Sequence, residues 1–223
     1  MAHPFRFGVQ LASLPVPGWQ DRVRRIEALG YSTAFWPDHF GKQWEPATAL
    51  TAVAAATSTL RVGSLVYGVD YRHPIVLAKA AATLHLLSGG RHEFGLGAGW
   101  MQTDYDEAGM PYDRPGVRIS RLDEALTIIR SLWTEERTSF RGAHYRIENA
   151  HRAAPLPAGS APKVLVGGGG PRLLALAGRH ADIVGINPSL PEGKILPTTV
   201  ADLAPARVRE KVRGGKEAAS KAG

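Results

Sequence analysis

Apolar positions along the chain follow two rhythms in turn. Runs that alternate or are continuously apolar, as strands require, occur at "FRFGVQL" (5–11), "STAFWPD" (32–38), "RVGSLVYG" (61–68), "HEFGLGAG" (92–99), "KVLVGG" (163–168) and "DIVGIN" (182–187). Between them apolar residues return every three or four positions. Trp19, Val23, Ile26 and Leu29 form one helical stripe, stopped by Gly30, and Ile119, Leu122, Leu126, Ile129 and Trp133 form another. Helices rich in small residues are expected after Pro46, Pro74 and Pro171, since proline suits the first helical position, where its missing N–H has no partner to lose. The stretch 134–162 breaks the rhythm and reads as an excursion, a hairpin turning at Arg141-Gly142 and then a Pro-rich loop.

The first four strands begin near residues 5, 32, 61 and 91, a spacing that suits one βαβ step. The chain is therefore expected to be α/β with a parallel sheet, either doubly wound or a TIM-type (β/α) barrel. Both place ligands at the C-terminal ends of the strands. Beyond "DIVGIN" the text offers turns and one or two helices but no β-rich run, so about six of the eight strands of a barrel are expected. The first and sixth would then carry unpaired backbone groups and invite association, a homo-oligomer included.

Composition narrows the picture. The 223 residues are 44% apolar, enough for one core, and lack cysteine, which removes disulfides, thiolate metal sites and cysteine nucleophiles. Of the net charge of +7, residues 206–223 supply +4, from six Lys/Arg against Glu210 and Glu217. The body is nearly balanced, which argues against nucleic acid as a partner, and no apolar run reaches the length of a membrane span. A soluble, cytoplasmic protein is expected, with a domain over 1–205 and a basic, disordered tail over 206–223. The eight histidines are scattered and "HEFGL" lacks the second histidine of HExxH, so no metal is expected.

Atypical residues gather at four strand ends: "FWPDHF", "GSLVYG", "GLGAGW" and the corner "VGGGGPR". Each has a plain structural use, in turns or caps. The corner of Gly168, Gly169 and Gly170 before Pro171 offers free N–H groups at a helix start and favours a phosphate, with Arg172 beside it, but a tight turn accounts for it equally. It fits neither GxGxxG nor the P-loop pattern.

Taken together, "RFGVQL", "WPDHF", "RVGSLVYGVDYRHPIVLAKAAATLHLLSGGRHEFGLGAGW" and "PKVLVGGGGPRLLALAGRHADIVG" resemble the luciferase-like monooxygenase superfamily, and within it the oxidoreductases that use the deazaflavin coenzyme F-420. The resemblance implies a TIM-type barrel with a deazaflavin or flavin across its C-terminal face. It implies that His39, with Asp38, lies at the reactive face, where an imidazole titrating near neutrality moves a proton or orients substrate. It further implies a non-proline cis peptide at Ser64-Leu65 behind the ring, close backbone approach at Gly97, Ala98 and Gly99, and a phosphate cradle at Gly168, Gly169 and Gly170. Trp100 stands where the sugar-phosphate dehydrogenase branch has an acidic proton donor, which implies a more apolar substrate pocket.

The leading expectation is an oxidoreductase exchanging a hydride between coenzyme F-420 and a small organic substrate. The alternatives are an FMN-dependent luciferase-like monooxygenase, a flavoprotein that uses oxygen, and a short non-catalytic homologue. No membrane partner is expected in any of them.

Overall fold

A computed structural model describes residues 5–190 and 193–222. The elements are β1 (Gly8–Gln10), α1 (Trp19–Ala28), β2 (Thr33–Trp36), α2 (Pro46–Ala56), β3 (Arg61–Ser64), β4 (Tyr67–Gly68), α3 (Pro74–Leu87), β5 (His92–Gly97), α4 (Gln102–Ala108), α5 (Pro115–Thr134), β6 (Arg137–Arg141), β7 (Arg146–His151), β8 (Lys163–Gly168), α6 (Pro171–His180), β9 (Ile183–Ile186), α7 (Pro197–Ala201) and α8 (Pro205–Ala222). A single 3₁₀ turn covers Val69–Tyr71. Proline opens α2, α3, α5 and α6, as its fixed φ favours, and α2 is also capped by the Glu45 carboxylate, which accepts from the Ala47 and Thr48 N–H groups.

The main sheet is parallel in the order β1-β2-β3-β5-β8-β9, with the short β4 also paired to β5. These six strands curl into a half-barrel. Two apolar clusters fill the space between sheet and helices. One joins Val23, Trp36, Leu50 and Val53 behind β1 to β3; the other joins Leu77, Phe94, Leu122, Leu126, Ile129, Leu132 and Trp133 behind β5 and β8. On the concave face Phe35 spreads over its neighbours' glycines. A Cβ on Gly8 would lie 2.7 Å from the Phe35 ring, and one on Gly63 2.8 Å. β6 and β7 form the antiparallel hairpin expected from 134–162.

The strand count agrees with the sequence pattern, and β1 and β9 are paired on one side only among the described residues. The centre and the edges differ accordingly: every residue of β5 is buried, whereas Phe5 and Phe7 leading into β1 are exposed and Val184 in β9 is partly so. None of the helices described is long and apolar enough to cross a membrane.

Two expectations are corrected here. The segment 206–223, read as a disordered tail, is helical through Ala222 and packs on α6. Its inward stripe is Val208, Lys211, Gly215 and Ala218, too small and too polar to register as an apolar face. Small size is what lets the backbones approach: a Cβ on Gly178 of α6 would lie 2.8 Å from the Gly215 carbonyl oxygen. Lys211 adds polar anchors, donating to the Asn187 carbonyl at 2.9 Å and to Asp202 Oδ2 at 2.6 Å. The second correction is that the non-proline cis peptide is Leu65-Val66, one bond later than Ser64-Leu65. The Leu65 N–H still donates to the Trp36 carbonyl at 2.8 Å, so the ladder with β2 continues through residue 65 before the chain turns away.

His92 gives the fold a pH signature. Its ring is fully buried, and its Nδ1–H donates to the Ala81 carbonyl at 3.1 Å. Burial pushes its pKa down to about 3, with the Ala81 bond opposing and His85 and Arg61 adding to the shift. Above about pH 6.5 the ring is neutral in folded and unfolded chains alike, so it has no effect on stability there. As pH falls below that value the unfolded chain takes up a proton that the fold refuses, and this one group removes up to about 1.4 kcal/mol per pH unit until about pH 3. Urea unfolding at about pH 7.5 and about pH 5 should show a stability loss that shrinks in His92→Asn, whose amide keeps a donor for Ala81; an equal loss in both proteins would contradict this account.

Candidate active site

The chemistry suggested by the sequence gathers where β2, β3, β5, β8 and β9 end. Glycines in β5 and after it set the spacing. A Cβ on Gly95 would lie 2.0 Å from the Ser64 carbonyl oxygen, one on Gly97 2.6 Å from Val66, and one on Gly99 2.0 Å from the Tyr105 hydroxyl. Gly99 also sits at φ +73°, where a side chain is strained. The bulge between β3 and β4 therefore lies directly on β5, and α4 lies directly on the turn that carries Ala98, Gly99 and Trp100.

Asp38 and His39 are neighbours in sequence with separate surroundings. Asp38 is buried and turned into the protein, where its carboxylate accepts from Arg72 at 2.5 and 3.1 Å and from the Gly68 N–H at 3.0 Å. Arg72 also reaches Glu45 at 3.0 Å. Asp38 thus ties β4 and the start of α3 to the end of β2, which corrects the expectation of a group working beside His39 at the mouth.

His39 remains partly exposed. Its Nδ1 lies 2.6 Å from Oδ2 of Asp104, a buried residue of α4. The same oxygen accepts from the Tyr71 hydroxyl at 3.0 Å, and Asp104 Oδ1 accepts from the Phe40 N–H at 3.4 Å. Burial, and then the charge of Asp104, raise the Tyr71 phenol above its ordinary pKa, so it stays a donor at neutral pH. Which of His39 Nδ1 and Asp104 Oδ2 donates depends on the tautomer of the ring; a carboxylate without its proton can only accept.

Trp100 completes the imidazole's surroundings, its ring edge-on to His39 at 5.7 Å between centroids. The Trp100 carbonyl is held by the Tyr112 hydroxyl at 2.8 Å. Phe40, Tyr71, Tyr105 and Tyr112 continue this wall as a row of ring pairs 4.5 to 5.6 Å apart. The structure thus brings His39 and Trp100 together and adds Asp104 and Tyr71, which the sequence reading did not single out. The available signal was Asp104 in "GWMQTDYDEAG", but that stretch has no strong apolar period and α4 was not foreseen.

Across the mouth, β8 ends in the glycine corner and Gly170 caps α6 without any side-chain hydrogen bond. The three glycines differ. A Cβ on Gly169 would meet the backbone of Asn187, Pro188 and Ser189 at 2.4 to 2.5 Å, and one on Gly168 would meet Leu173 at 2.2 Å. One on Gly170 has only Ser189 Oγ near it, at 3.5 Å. Gly168 and Gly169 are thus required by packing, while the open space and the free N–H groups of the first turn belong to the Gly170 side. A cleft of about 610 Å³ lies beside the corner, lined by Gly169, Pro171, Ser189, Lys194 and Lys211 among others.

A parallel half-barrel with helices outside and its polar groups collected at the strand ends is the architecture of TIM-type enzymes. Residues 2–214 match the luciferase-like monooxygenase family, and the chain belongs to it. It is 36% identical over 177 residues to an F-420-dependent glucose-6-phosphate dehydrogenase of Intrasporangium calvum, which covers 73% of this chain and 51% of that protein. It is 36% identical over 174 residues to a phthiodiolone/phenolphthiodiolone dimycocerosates ketoreductase of Mycobacterium tuberculosis, covering 75% of this chain and 44% of the relative. The chain therefore spans about half the length of the curated relatives it matches. Among solved structures, the coenzyme F-420-dependent tetrahydromethanopterin reductase of Methanopyrus kandleri superposes with a TM-score of 0.78 at 24% identity, over 97% of this chain and 61% of that one. The oxygenating constituent of 3,6-diketocamphane monooxygenase of Pseudomonas putida, in complex with FMN, superposes at 0.74 and 20% identity, over 98% and 63%. At those identities the two structures establish the fold.

The separate roles of residues 38 and 39 can be tested by stability alone. Asp38→Asn takes away the buried partner of Arg72 and leaves it only the more exposed Glu45, which should lower unfolding free energy by roughly 2 kcal/mol. His39→Ala, which leaves the Asp104 carboxylate its bonds from Tyr71 and the Phe40 N–H, should lower it by less, about 1 kcal/mol. Denaturant unfolding of the two variants checks this, and equal losses would refute it.

Proposed function

We propose that the chain carries the cofactor phosphate site and the proton-moving group of an oxidoreductase that transfers a hydride between coenzyme F-420 and a small, largely apolar organic substrate. The observation that carries the reading is His39, fixed through Nδ1 by a buried carboxylate at 2.6 Å and walled by Trp100, at the end of the barrel where such enzymes react. The name of the Intrasporangium relative supports the deazaflavin. When bound, that cofactor supplies two-electron hydride chemistry. In the direction of alcohol oxidation, the substrate's carbon loses hydride and its hydroxyl loses a proton, and His39 Nε2 takes that proton as the carbonyl forms. In reduction the same nitrogen returns it.

Trp100 cannot donate a proton to oxygen as an acid would, so the proton traffic falls to His39. The exposed Phe40 and the indole favour an apolar substrate over a phosphorylated sugar. An anionic group of the cofactor fits the Gly170 side of the corner, where the N–H groups of Arg172 and Leu173 and the start of α6 meet open space.

Substitution of Gly170 by aspartate separates binding from folding. Gly170 has φ −82° and ψ 149°, allowed for any residue, and aspartate is a good helix cap. Gly170→Asp should therefore fold with an unchanged or higher melting temperature yet bind F-420 at least about tenfold more weakly, because a carboxylate now occupies and repels from the anion position. Fluorescence titration with F-420 and with FMN reads both the affinity and the cofactor preference. Unchanged F-420 affinity in the variant, or tighter binding of FMN by the unmodified protein, would overturn the reading.

A further inference from the structure

We propose that Asp104 is a positioning residue for His39: it holds the imidazole in the Nδ1–H tautomer, so that Nε2 is the nitrogen available to take and return the substrate proton. This rests on the reading of His39 given above. Three separate donors converge on one buried carboxylate: the His39 ring, the Tyr71 hydroxyl, and the Phe40 main chain just after the histidine. The carboxylate thus fixes both the ring and the backbone that bears it, and the edge of Trp100 limits rotation on another side. Asp104 is in turn placed by its helix. Tyr105, next along α4, donates to Asp70 at 2.8 Å, and Asp70 accepts from Arg121 of α5 at 2.6 Å.

The arrangement orients the base and stabilises the imidazolium that forms when Nε2 accepts a proton. Asp104 itself exchanges none. Replacing the carboxylate by an amide keeps the shape but offers His39 an N–H where it needs an acceptor, favouring the opposite tautomer with its proton on Nε2.

The decisive measurement needs no cofactor: ¹⁵N spectra of histidine-labelled protein at about pH 8 should show His39, assigned by its loss in His39→Ala, protonated at Nδ1. Asp104→Asn should move that signature toward Nε2–H and lower kcat by roughly 10²–10⁴-fold while changing F-420 affinity less than about threefold. Asp104→Glu should restore the Nδ1–H signature and part of the turnover. Tyr71→Phe, which removes one donor and leaves the His39 contact, should cost turnover less than Asp104→Asn and serves as a second variant should the amide not fold. An Nε2–H tautomer in the unmodified protein, or an unchanged tautomer and turnover in Asp104→Asn, would overturn the positioning role. Full turnover in His39→Ala would instead sink the functional reading beneath it, so the two failures are distinguishable.

Discussion

The mouth of this half-barrel depends on one close approach, that of the β3 bulge to β5. Ser64 and Val66 occupy the space that side chains at Gly95 and Gly97 would fill, and Tyr105 occupies the space beside Gly99. Three alternate glycines on one strand and its turn thus admit two other elements. The bulge brings Tyr67 and Gly68 onto β5 as a short extra strand, and α4 comes down with Asp104 aimed at the end of β2. A methyl group at any of the three would push one of these elements outward, and close packing leaves little slack to absorb it.

The same region shows how neighbouring polar residues acquire different work. The Asp38 carboxylate is saturated by Arg72 and a backbone N–H, an arrangement whose value is geometric, since desolvation offsets much of the attraction in a buried ion pair. It fixes the loop from which His39 projects. His39 then finds its own carboxylate 65 positions away in sequence. The division gives the mouth a rigid base and leaves the His39 imidazole partly open at its surface.

The glycine corner follows a similar logic. Gly168 and Gly169 are close-packed against α6 and the loop after β9, which leaves the Gly170 side as the part of the helix start that a ligand can approach. α8 supports the arrangement from behind: Lys211 ties Asn187 and Asp202 together, and Asp202 holds the Ser189 N–H that borders the corner.

The strands, most of the helices and the family were legible in the sequence because they rest on local periodicity, on prolines at helix starts and on glycines at strand ends, all of which survive in a linear string. So was the gathering of His39, Trp100 and the glycine corner at one end, since a parallel sheet puts every strand's C-terminus on the same side. The tail was misread because its packing stripe holds a single valine beside a lysine, a glycine and an alanine, and small residues contribute contact without contributing hydrophobic signal. The partners of the site side chains lay outside the sequence's reach. Whether Asp38 or Asp104 serves His39 turns on which way a loop faces and on how closely α4 descends onto β5. Those are distances between elements far apart in the chain, set by what fills the space between them, and only the tertiary structure decides them.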